Sequence, residues 1–355
     1  MAIDPSLIFE LKNNLSPAVR VRESVSADSI TTFGVGGEIG VLLEALSLKG
    51  AQETIQRVSD IGIANYRLLG AGSNLVIPDS GITDPVIQLG REFSEFIICR
   101  NQPEKITVES FDTKAAISAG RLDIVSLEDL GSLNLGSSVW VTAFASCPLM
   151  GLSRKMTQCG FSGLEFAAGI PGLAGGAVAM NAGAHGHELS EILRRVYVLD
   201  KEGHYHVLTP KDLQIKYRSS GLPNGALVVA VELELTVKEV SECMTERNRC
   251  LEYRKKTQPL HLPSAGSVFK NPSPDKLSED NIAGGVQPAA GWLLEQAGMK
   301  GKRLGGVAFS DLHANWLVRV GEHGSAHDAV SLIELGRKEV LDRFGITLEL
   351  ELKLW

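Results

Sequence analysis

The chain has 355 residues, 44% of them hydrophobic and 22% charged, which is ordinary for a globular protein with two or three domains. Its net charge of −7 and the lack of a basic cluster argue against a nucleic-acid partner. Five cysteines without a CxxC spacing indicate reduced thiols. With no visible signal peptide and no apolar run that could span a membrane, we expect a cytoplasmic protein.

The first third of the chain alternates helical and strand patterns. Gln52–Ile61 has the spacing of an amphipathic helix, while Tyr66–Leu69 and Val86–Leu89 are short apolar runs typical of buried strands. Residues 100–138 are irregular and polar, which indicates an insertion at a sheet edge, and Val139–Ala145 resumes as a strand. We therefore expect mixed helices and strands interrupted by one long insertion.

The middle of the chain is predicted to be mostly sheet. Ser153–Cys159 has the pattern of a helix that ends at Gly160. Downstream, Arg195–Leu199, His204–Leu208 and Ala226–Val237 alternate in the manner of antiparallel strands.

The character of the chain changes near residues 240–246, where we place a domain boundary. Cys243–Lys256 is predicted as a charged helix and Ala289–Ala297 as a short apolar one. Ser325–Phe344 is the clearest helix, because Ser325 and Asp328 form an S-x-x-D capping box and a glycine follows its last residue.

The segment Thr347–Leu354 alternates with period two and is predicted as a strand. A solvated outer face would explain its charged residues, and a carboxylate directed into a cleft is the alternative. The leucines on one side are Leu348, Leu350, Leu352 and Leu354, and the charged residues on the other are Glu349, Glu351 and Lys353.

A block rich in glycine and alanine, AGIPGLAGGAVAMNAGAHG, occupies residues 168–186. Glycine weakens helices and strands but lets a ligand approach the backbone closely. Such a stretch is costly unless something lies against the main chain. It therefore predicts a site for the flat ring or pyrophosphate of a large cofactor.

A second glycine-rich loop, Leu69–Asn74 (LGAGSN), follows a predicted strand. Its backbone N–H groups, a serine and an amide side chain suit a pyrophosphate. The loop is not a dinucleotide fingerprint, because Leu75 stands where the third glycine belongs, and no Walker lysine follows. Alone it is more often a plain turn. Together with the block at 168–186, it fits a long dinucleotide resting on two lobes.

Two further clusters carry groups able to do chemistry. In SAGSVFKNP (Ser264–Pro272), Ser267 follows a glycine at a tight bend, with a lysine and an amide close by, although a surface turn is the simpler interpretation. In KYRSS, Arg218 is placed to clamp a carboxylate or phosphate, and a surface salt bridge is the alternative.

The histidines give weak signals for a metal. His185 and His187, and likewise His204 and His206, have spacings that a metal site uses, but neither pair has a third ligand in evident reach. We therefore expect no metal site. His313 is equally compatible with ligand binding and with a domain interface.

Eight segments along the chain carry a family resemblance: TTFGVGG, LLGAGSNLVIPDSG, GLEFAAGIPGLAGGAVAMNAGAHG, YRSSGL, AGSVFKNP, PAAGWLLEQAGMKGKRLGG, LHANWLV and FGITLELELKL. In this order they resemble the bacterial UDP-N-acetylenolpyruvoylglucosamine reductases, flavoenzymes that complete UDP-N-acetylmuramate for peptidoglycan. The resemblance runs from Thr31 to Leu354, except for residues 100–138.

The resemblance implies an α+β fold. Its FAD-binding part has two lobes of the vanillyl-alcohol-oxidase (PCMH) type, and a C-terminal α+β domain binds substrate. The corresponding boundaries are 1–88 and 89–245 for the lobes, 246–340 for the substrate domain, and 341–355 for a last strand that carries Glu351.

The resemblance also assigns residues. For FAD, it implies Gly70, Ala71, Gly72, Ser73, Asn74, Ile170, Pro171, Gly172, Asn181 and Gly183. For catalysis, it implies Ser267 as proton donor, with Arg218 and Glu351 flanking the substrate carboxylate. For the UDP-sugar substrate, it implies Tyr217, Lys255 (or its neighbour Lys256), Asn271 and His313.

The chemistry implied is a two-step reduction. NADPH reduces FAD and leaves, and the enolpyruvyl sugar nucleotide takes its place. A hydride then reaches the terminal vinyl carbon, so negative charge develops on the neighbouring carbon and its carboxylate. A cationic group and a proton donor are needed there.

Alternatives stay open at this stage. A flavin oxidase of the same fold and a flavin-binding module without turnover are the competing functions. His185 or His187 raises the question of covalent flavin attachment. The LEFAAG and YRSSGL segments resemble the family members that lack an extra substrate-covering loop. Whether residues 100–138 substitute for that loop is left open. We expect a monomer.

Overall fold

The computed structural model describes residues 8–11, 15–63, 65–108, 111, 133–273 and 288–355. The strands are β1 (Val19–Ser26), β2 (Glu38–Ala45), β3 (Arg67–Leu69), β4 (Leu75–Val76), β5 (Val86–Leu89), β6 (Phe96–Cys99), β7 (Ser138–Phe144), β8 (Phe161–Ser162), β9 (Gly183–Ala184), β10 (His187–Glu188), β11 (Leu193–Leu199), β12 (Tyr205–Leu208), β13 (Leu227–Val237), β14 (Ser264–Ser267), β15 (Arg303–Leu304), β16 (Val307–Phe309), β17 (Trp316–Arg319) and β18 (Lys353–Leu354). The helices are α1 (Ala27–Ile30), α2 (Leu48–Asp60), α3 (Leu149–Gln158), α4 (Ala174–Ala179), α5 (Val240–Thr257), α6 (Ala290–Gln296) and α7 (Ala326–Phe344).

The first sheet has four strands in the order β1-β2-β5-β3. β1 and β2 are antiparallel, while β5 pairs in parallel with both β2 and β3. Helix α2 covers this sheet because Ala51, Ile55 and Val58 recur on one face and are all buried. The loop at residues 70–74 leaves the carboxyl end of β3, which is where open α/β sheets hold ligands.

The second sheet has six strands, ordered β12-β11-β13-β7-β6 with β8 beside β13. The pairings are antiparallel. Helix α4 lies within the glycine-rich block and packs on this sheet, so close that a Cβ added at Gly175 would lie 2.9 Å from Ala145 Cβ. One large apolar cluster fills the space under the sheet.

The third sheet has four strands, β14-β17-β16-β15, and packs with α6 and α7. Its core also takes in Phe33, Val35 and Val76 from the amino-terminal part of the chain. Helix α7 begins at the Ser325 hydroxyl, which accepts the Asp328 N–H at 2.9 Å, as the capping pattern predicts.

Most predicted elements are confirmed, with boundary shifts of a few residues. The strand Val86–Leu89 matches β5, and the helices predicted at 243–256 and 289–297 are α5 and α6. Strands β1 and β2 and helix α4 were not predicted. No helix in the described part of the chain combines the length and apolar character needed to cross a lipid bilayer.

The predicted strand Thr347–Leu354 is wrong in its extent. Only Lys353–Leu354 pair as a strand, in parallel with β4, and Leu350 makes one isolated bridge to Phe269. This segment pairs with Phe269 at one point and with β4 at another. Its regular alternation of apolar and charged residues therefore does not correspond to one continuous strand pairing. Leu348 and Leu352 are buried, as the alternation predicts, whereas Leu354 is exposed.

The predicted insertion begins and ends at an edge of the second sheet. Residues 100–108 leave β6, the outermost strand, and residues 133–137 enter its neighbour β7. Residues 109–110 and 112–132 lie outside the described residues. They make up most of the segment 100–138 that was considered as a substitute for the substrate-covering loop. The domain boundaries stay a prediction.

Candidate active site

A cleft of about 520 Å³ lies where the loop at 70–74, the glycine-rich block and the third sheet meet. This volume is in the usual range for small-molecule sites, roughly 300–1,000 Å³. Most of the predicted site residues line it. They are Gly70, Ala71, Gly72, Ser73, Asn74, Ile170, Pro171, Gly172, Gly183, Arg218, Ser267 and Glu351.

The backbone of the loop at 70–74 is constrained by close contacts with neighbouring segments. Gly72 has φ +61°, and a Cβ there would collide with the Ile30 carbonyl oxygen. The Ser73 hydroxyl donates to the Pro171 carbonyl oxygen at 3.1 Å, which joins the two glycine-rich loops. A Cβ added at Gly70, by contrast, would meet no protein atom within 4 Å. This glycine leaves open space beside the backbone on the cleft side.

The GAHGHE segment is a hairpin between β9 and β10. Its two-residue turn, His185–Gly186, has φ +56° and +83°, the pattern of a type I′ turn. The His187 Nδ1 lies 2.8 Å from Glu191 Oε2. Turn geometry and a hydrogen-bond partner for His187 thus account for the spacing of this histidine pair.

Arg218 and Glu351 form an ion pair in the cleft, with Arg218 Nε 2.8 Å from Glu351 Oε1. Their side chains are only 18% and 16% exposed. Burial raises the pKa of the Glu351 carboxyl, and the guanidinium of Arg218 opposes that rise. A carboxyl whose pKa is raised by burial keeps its proton to a higher pH than an exposed one, which is a property of groups that share protons in catalysis.

Ser267 reaches the same cleft from β14. Gly266 precedes it with φ +81°, which makes the tight bend that the sequence predicts. The Glu351 N–H donates to the Val268 carbonyl oxygen at 2.8 Å, so the Glu351 segment lies directly beside the residue after Ser267. The Asn74 amide donates to the Glu351 carbonyl oxygen at 3.1 Å. One hydrogen-bond chain therefore links the loop, the serine strand and the glutamate.

Among the described residues that line the cleft, four side-chain atoms are buried without a hydrogen-bond partner: Arg218 Nε, Arg254 Nε, Gln258 Oε1 and His185 Nε2. Arg218 Nε has Glu351 as its ion-pair partner, whereas the other three atoms have no partner of this kind. Arg254 is 6% exposed, and burial lowers its pKa to about 10. Unsatisfied buried polar groups are costly, so a ligand is expected to complete them. The cleft thus offers an unpartnered hydrogen-bond donor, an unpartnered acceptor and open space beside the backbone at Gly70 and Gly176. These features fit a flavin dinucleotide.

Sequence reasoning missed Arg254 and Gln258. Arg254 precedes two lysines in LEYRKKTQP, so charge alone does not distinguish it. Helical periodicity was the usable signal, because Cys243, Cys250 and Arg254 share the buried face of α5.

The remaining predicted residues lie outside the lining of the cleft. Asn181 is 2% exposed and its amide donates to Glu188 Oε2 at 2.8 Å and to the Lys216 carbonyl oxygen at 3.3 Å. The Lys255 ammonium is exposed and pairs with Glu252 Oε1 at 2.8 Å. These contacts are internal to the protein.

The other three sit at the margin of the site. Tyr217 is 43% exposed, with the Arg218 guanidinium 5.0 Å from its ring centroid. Asn271 is exposed, and its Oδ1 accepts the Ala290 N–H at 3.0 Å, at the start of α6. His313 packs 6.5 Å from the ring of Trp316, which lines the cleft, and burial lowers its pKa.

The structure brings an acidic side chain close to His204 and His206, which the spacing of the two histidines did not indicate. Asp200 Oδ2 lies 2.7 Å from His206 Nε2 and 3.4 Å from His204 Nδ1. Asp200, Glu202 and His204 form a group whose possible ligand atoms lie close together, and His206 is not part of it. The Asp200 carboxylate also accepts the N–H groups of Glu202 and His204. The cluster is on the surface, and the Asp200 carboxylate already serves as a hydrogen-bond acceptor within the turn.

Comparisons with known proteins point to one family. Residues 258–355 match the domain family described as UDP-N-acetylenolpyruvoylglucosamine reductase, C-terminal domain, and residues 122–209 match the FAD binding domain family. The UDP-N-acetylenolpyruvoylglucosamine reductase of Anoxybacillus flavithermus is 31% identical over 94% of each chain. That of Synechococcus is 35% identical over 94% of this chain and 91% of its own. The crystal structure of the Thermus caldophilus enzyme superposes with a TM-score of 0.69 at 30% identity, covering 95% of this chain and 99% of the other.

Proposed function

Because the chain belongs to the UDP-N-acetylenolpyruvoylglucosamine reductase family, we propose that its cleft is the active site of an FAD-dependent reductase. The substrate is UDP-N-acetylglucosamine enolpyruvate, the product is UDP-N-acetylmuramate for peptidoglycan, and NADPH is the hydride donor. The observation that carries the assignment of the cleft is the buried Arg218–Glu351 pair, which lies among the glycines that line it.

The residues that would hold FAD fall into two groups. The backbone N–H groups of Gly70, Gly72 and Ser73 suit a pyrophosphate, because a compact loop presents them together. The unpartnered Arg254 Nε and Gln258 Oε1 suit the donor and acceptor edge of a flavin ring. Bound FAD would supply the hydride transfer from NADPH to the enolpyruvyl double bond.

The side chains at the cleft would then handle charge and protons. Arg218 stabilises the negative charge that develops on the carbon next to the substrate carboxylate. Ser267 donates the proton that this carbon gains, which completes the addition of one hydride and one proton across the double bond. Glu351, whose pKa is raised by burial, shares a proton at the same place.

The sugar nucleotide would extend from the cleft toward exposed groups. Tyr217 and Asn271 lie at its margin, and the ammonium of Lys255 or Lys256 can turn toward a diphosphate because both side chains are exposed. His313 is the weakest of these assignments, since its Nδ1 already accepts the Asn315 N–H at 3.2 Å.

The wider organisation belongs to the same proposal. Two lobes, residues 1–88 and 89–245, would bind FAD, residues 246–340 would cover the substrate, and residues 341–355 would return Glu351 to the cleft. A monomer belongs to the same proposal. A cytoplasmic enzyme is part of the same proposal.

The test is an anaerobic absorbance titration of the purified protein. NADPH is expected to bleach the flavin band, and UDP-N-acetylglucosamine enolpyruvate is expected to restore it rapidly. Bleaching without recovery would contradict the proposed substrate but would still support FAD as the cofactor. No flavin spectrum, even after FAD is added, would contradict the whole assignment.

A further inference from the structure

Arg218 has a backbone conformation that other contacts must hold. Its φ is +56°, in the left-handed region that non-glycine residues occupy only at a cost. The turn that carries it closes with two backbone hydrogen bonds between Lys216 and Ser219, at 2.8 and 2.9 Å. A strained turn of this kind keeps one geometry only where its surroundings over-determine it.

Two side chains tie this turn to the glycine-rich block. The Ser220 hydroxyl donates to the Ala179 carbonyl oxygen at 3.0 Å. The Asn181 amide donates to the Lys216 carbonyl oxygen at 3.3 Å. Both ties reach the end of α4, so the position of Arg218 depends on the segment that follows this helix.

Asn181 is itself fixed at each polar atom. It is 2% exposed, with φ +41°, and its Oδ1 accepts the Ser190 N–H at 3.1 Å. The second bond from its Nδ2 goes to Glu188 Oε2 at 2.8 Å, on strand β10. Glu188 in turn closes a capping box with Glu191. The amide therefore connects the β9–β10 hairpin to the turn of Arg218.

The same hairpin approaches Arg218 directly. A Cβ added at Gly183 would lie 3.2 Å from Arg218 Nη1 and 2.9 Å from Glu188 Cγ. Gly183 pairs with Glu188 across the hairpin. The guanidinium thus lies against the backbone that the Asn181–Glu188 bond holds in place.

We propose that Asn181 is a positioning residue for Arg218, and that its bond to the Lys216 carbonyl oxygen sets the placement of the guanidinium beside Glu351. The bond to Glu188 stabilises the hairpin. The inference rests on the proposed role of Arg218 in the reductase reaction. Under this proposal, Asn181 is not one of the residues that contact the cofactor.

The two bonds of Asn181 can be separated by exchanging amide and carboxylate. Asn181→Asp loses both donors and places a carboxylate beside Glu188. The double variant Asn181→Asp, Glu188→Gln restores one bond, because the amide introduced on strand β10 donates to the new carboxylate. The Lys216 carbonyl oxygen still lacks its donor. The double variant has the same net charge as the wild type.

Stopped-flow measurement of the two half-reactions tests the proposal. In Asn181→Asp, we expect reoxidation by the enolpyruvyl substrate to slow at least tenfold, while FAD affinity and reduction by NADPH stay within twofold. The double variant should recover the melting temperature but not the reoxidation rate. The control Asn224→Asp, which adds a charge at an exposed site, should match the wild type. Recovery of both quantities, or a normal rate in Asn181→Asp, would overturn the proposal.

A second readout does not depend on turnover. NMR titration of labelled Glu351 should give a higher pKa in the double variant than in the wild type, because Arg218, which holds that pKa down, is displaced. An unchanged pKa overturns the proposal. Failure of the wild type to be reoxidised overturns the proposed function instead, and leaves the NMR titration to decide the role of Asn181.

Discussion

Glu351 Oε1 lies 2.8 Å from Arg218 Nε, although one residue is on the last segment of the chain and the other is in a strained turn after the second-sheet strand β12. Burial raises the pKa of Glu351 and the guanidinium of Arg218 lowers it. In the proposed reaction, the Glu351 carboxylate partly neutralises the Arg218 cation until the substrate carboxylate arrives. Activity and stability should both respond when this pair or its surroundings are altered.

Glu351→Gln should lower kcat about a hundredfold or more, because the glutamine cannot share a proton where the substrate carbanion develops. Glu349→Gln is the matched control, with an exposed side chain two residues earlier on the same segment, and it should stay within about twofold. Steady-state kinetics of both variants at saturating substrate measure this. A severe Glu349→Gln and a mild Glu351→Gln would reverse the assignment.

The raised pKa of Glu351 predicts how stability depends on pH. As pH rises above the ordinary pKa of a glutamate, the unfolded chain loses this proton before the folded one does, so the unfolded state is favoured. The unfolding free energy of the wild type should therefore fall, relative to Glu351→Gln, until pH passes the raised pKa, and then level off. Urea unfolding of the flavin-free proteins across this pH range measures the difference. A difference that grows in the opposite direction would show that Arg218 outweighs burial.

Ser267→Ala should separate the two half-reactions. Reduction by NADPH should remain within about twofold of the wild type, while reoxidation by the enolpyruvyl substrate should slow by about 10²- to 10⁴-fold, the usual contribution of a general acid. Stopped-flow absorbance at the flavin band reports each step. Ser273→Ala, at an exposed serine that follows β14 in the chain, serves as the control. Normal reoxidation in Ser267→Ala would remove this serine from the acid role.

Two glycines of the cofactor loop should respond differently to the same substitution. Gly72→Ala meets the Ile30 carbonyl oxygen at φ +61°, so it should lower the unfolding free energy of the flavin-free protein by more than about 1 kcal/mol. Gly70→Ala meets no protein atom within 4 Å and should leave that free energy within about 0.5 kcal/mol. Its methyl group would occupy cleft space, so the Kd for FAD should rise. Chemical unfolding and flavin fluorescence titration measure the two effects, and tight FAD binding by Gly70→Ala would place the cofactor elsewhere.

Local patterns were sufficient for much of the fold. The capping box at Ser325, the glycine after Phe344 and the apolar run Val86–Leu89 each express a preference of a few neighbouring residues, and the structure confirms them. The prediction for the last segment was wrong because period two describes side-chain direction only. Whether an extended chain has a neighbouring strand depends on residues distant in sequence, here Phe269 and β4.

The sequence by itself determined the chemical inventory: two glycine-rich loops, a serine at a glycine bend, an arginine in a turn and alternating glutamates. The order of these motifs was enough to indicate the family. Only the tertiary structure decided which side chains meet. It brought Glu351, which the family resemblance had indicated, into an ion pair with Arg218, turned the Asn181 amide inward, and left the buried Arg254 Nε without a hydrogen-bond partner in the cleft. Those outcomes depend on burial and on hydrogen bonds between distant segments, which no local pattern of residues encodes.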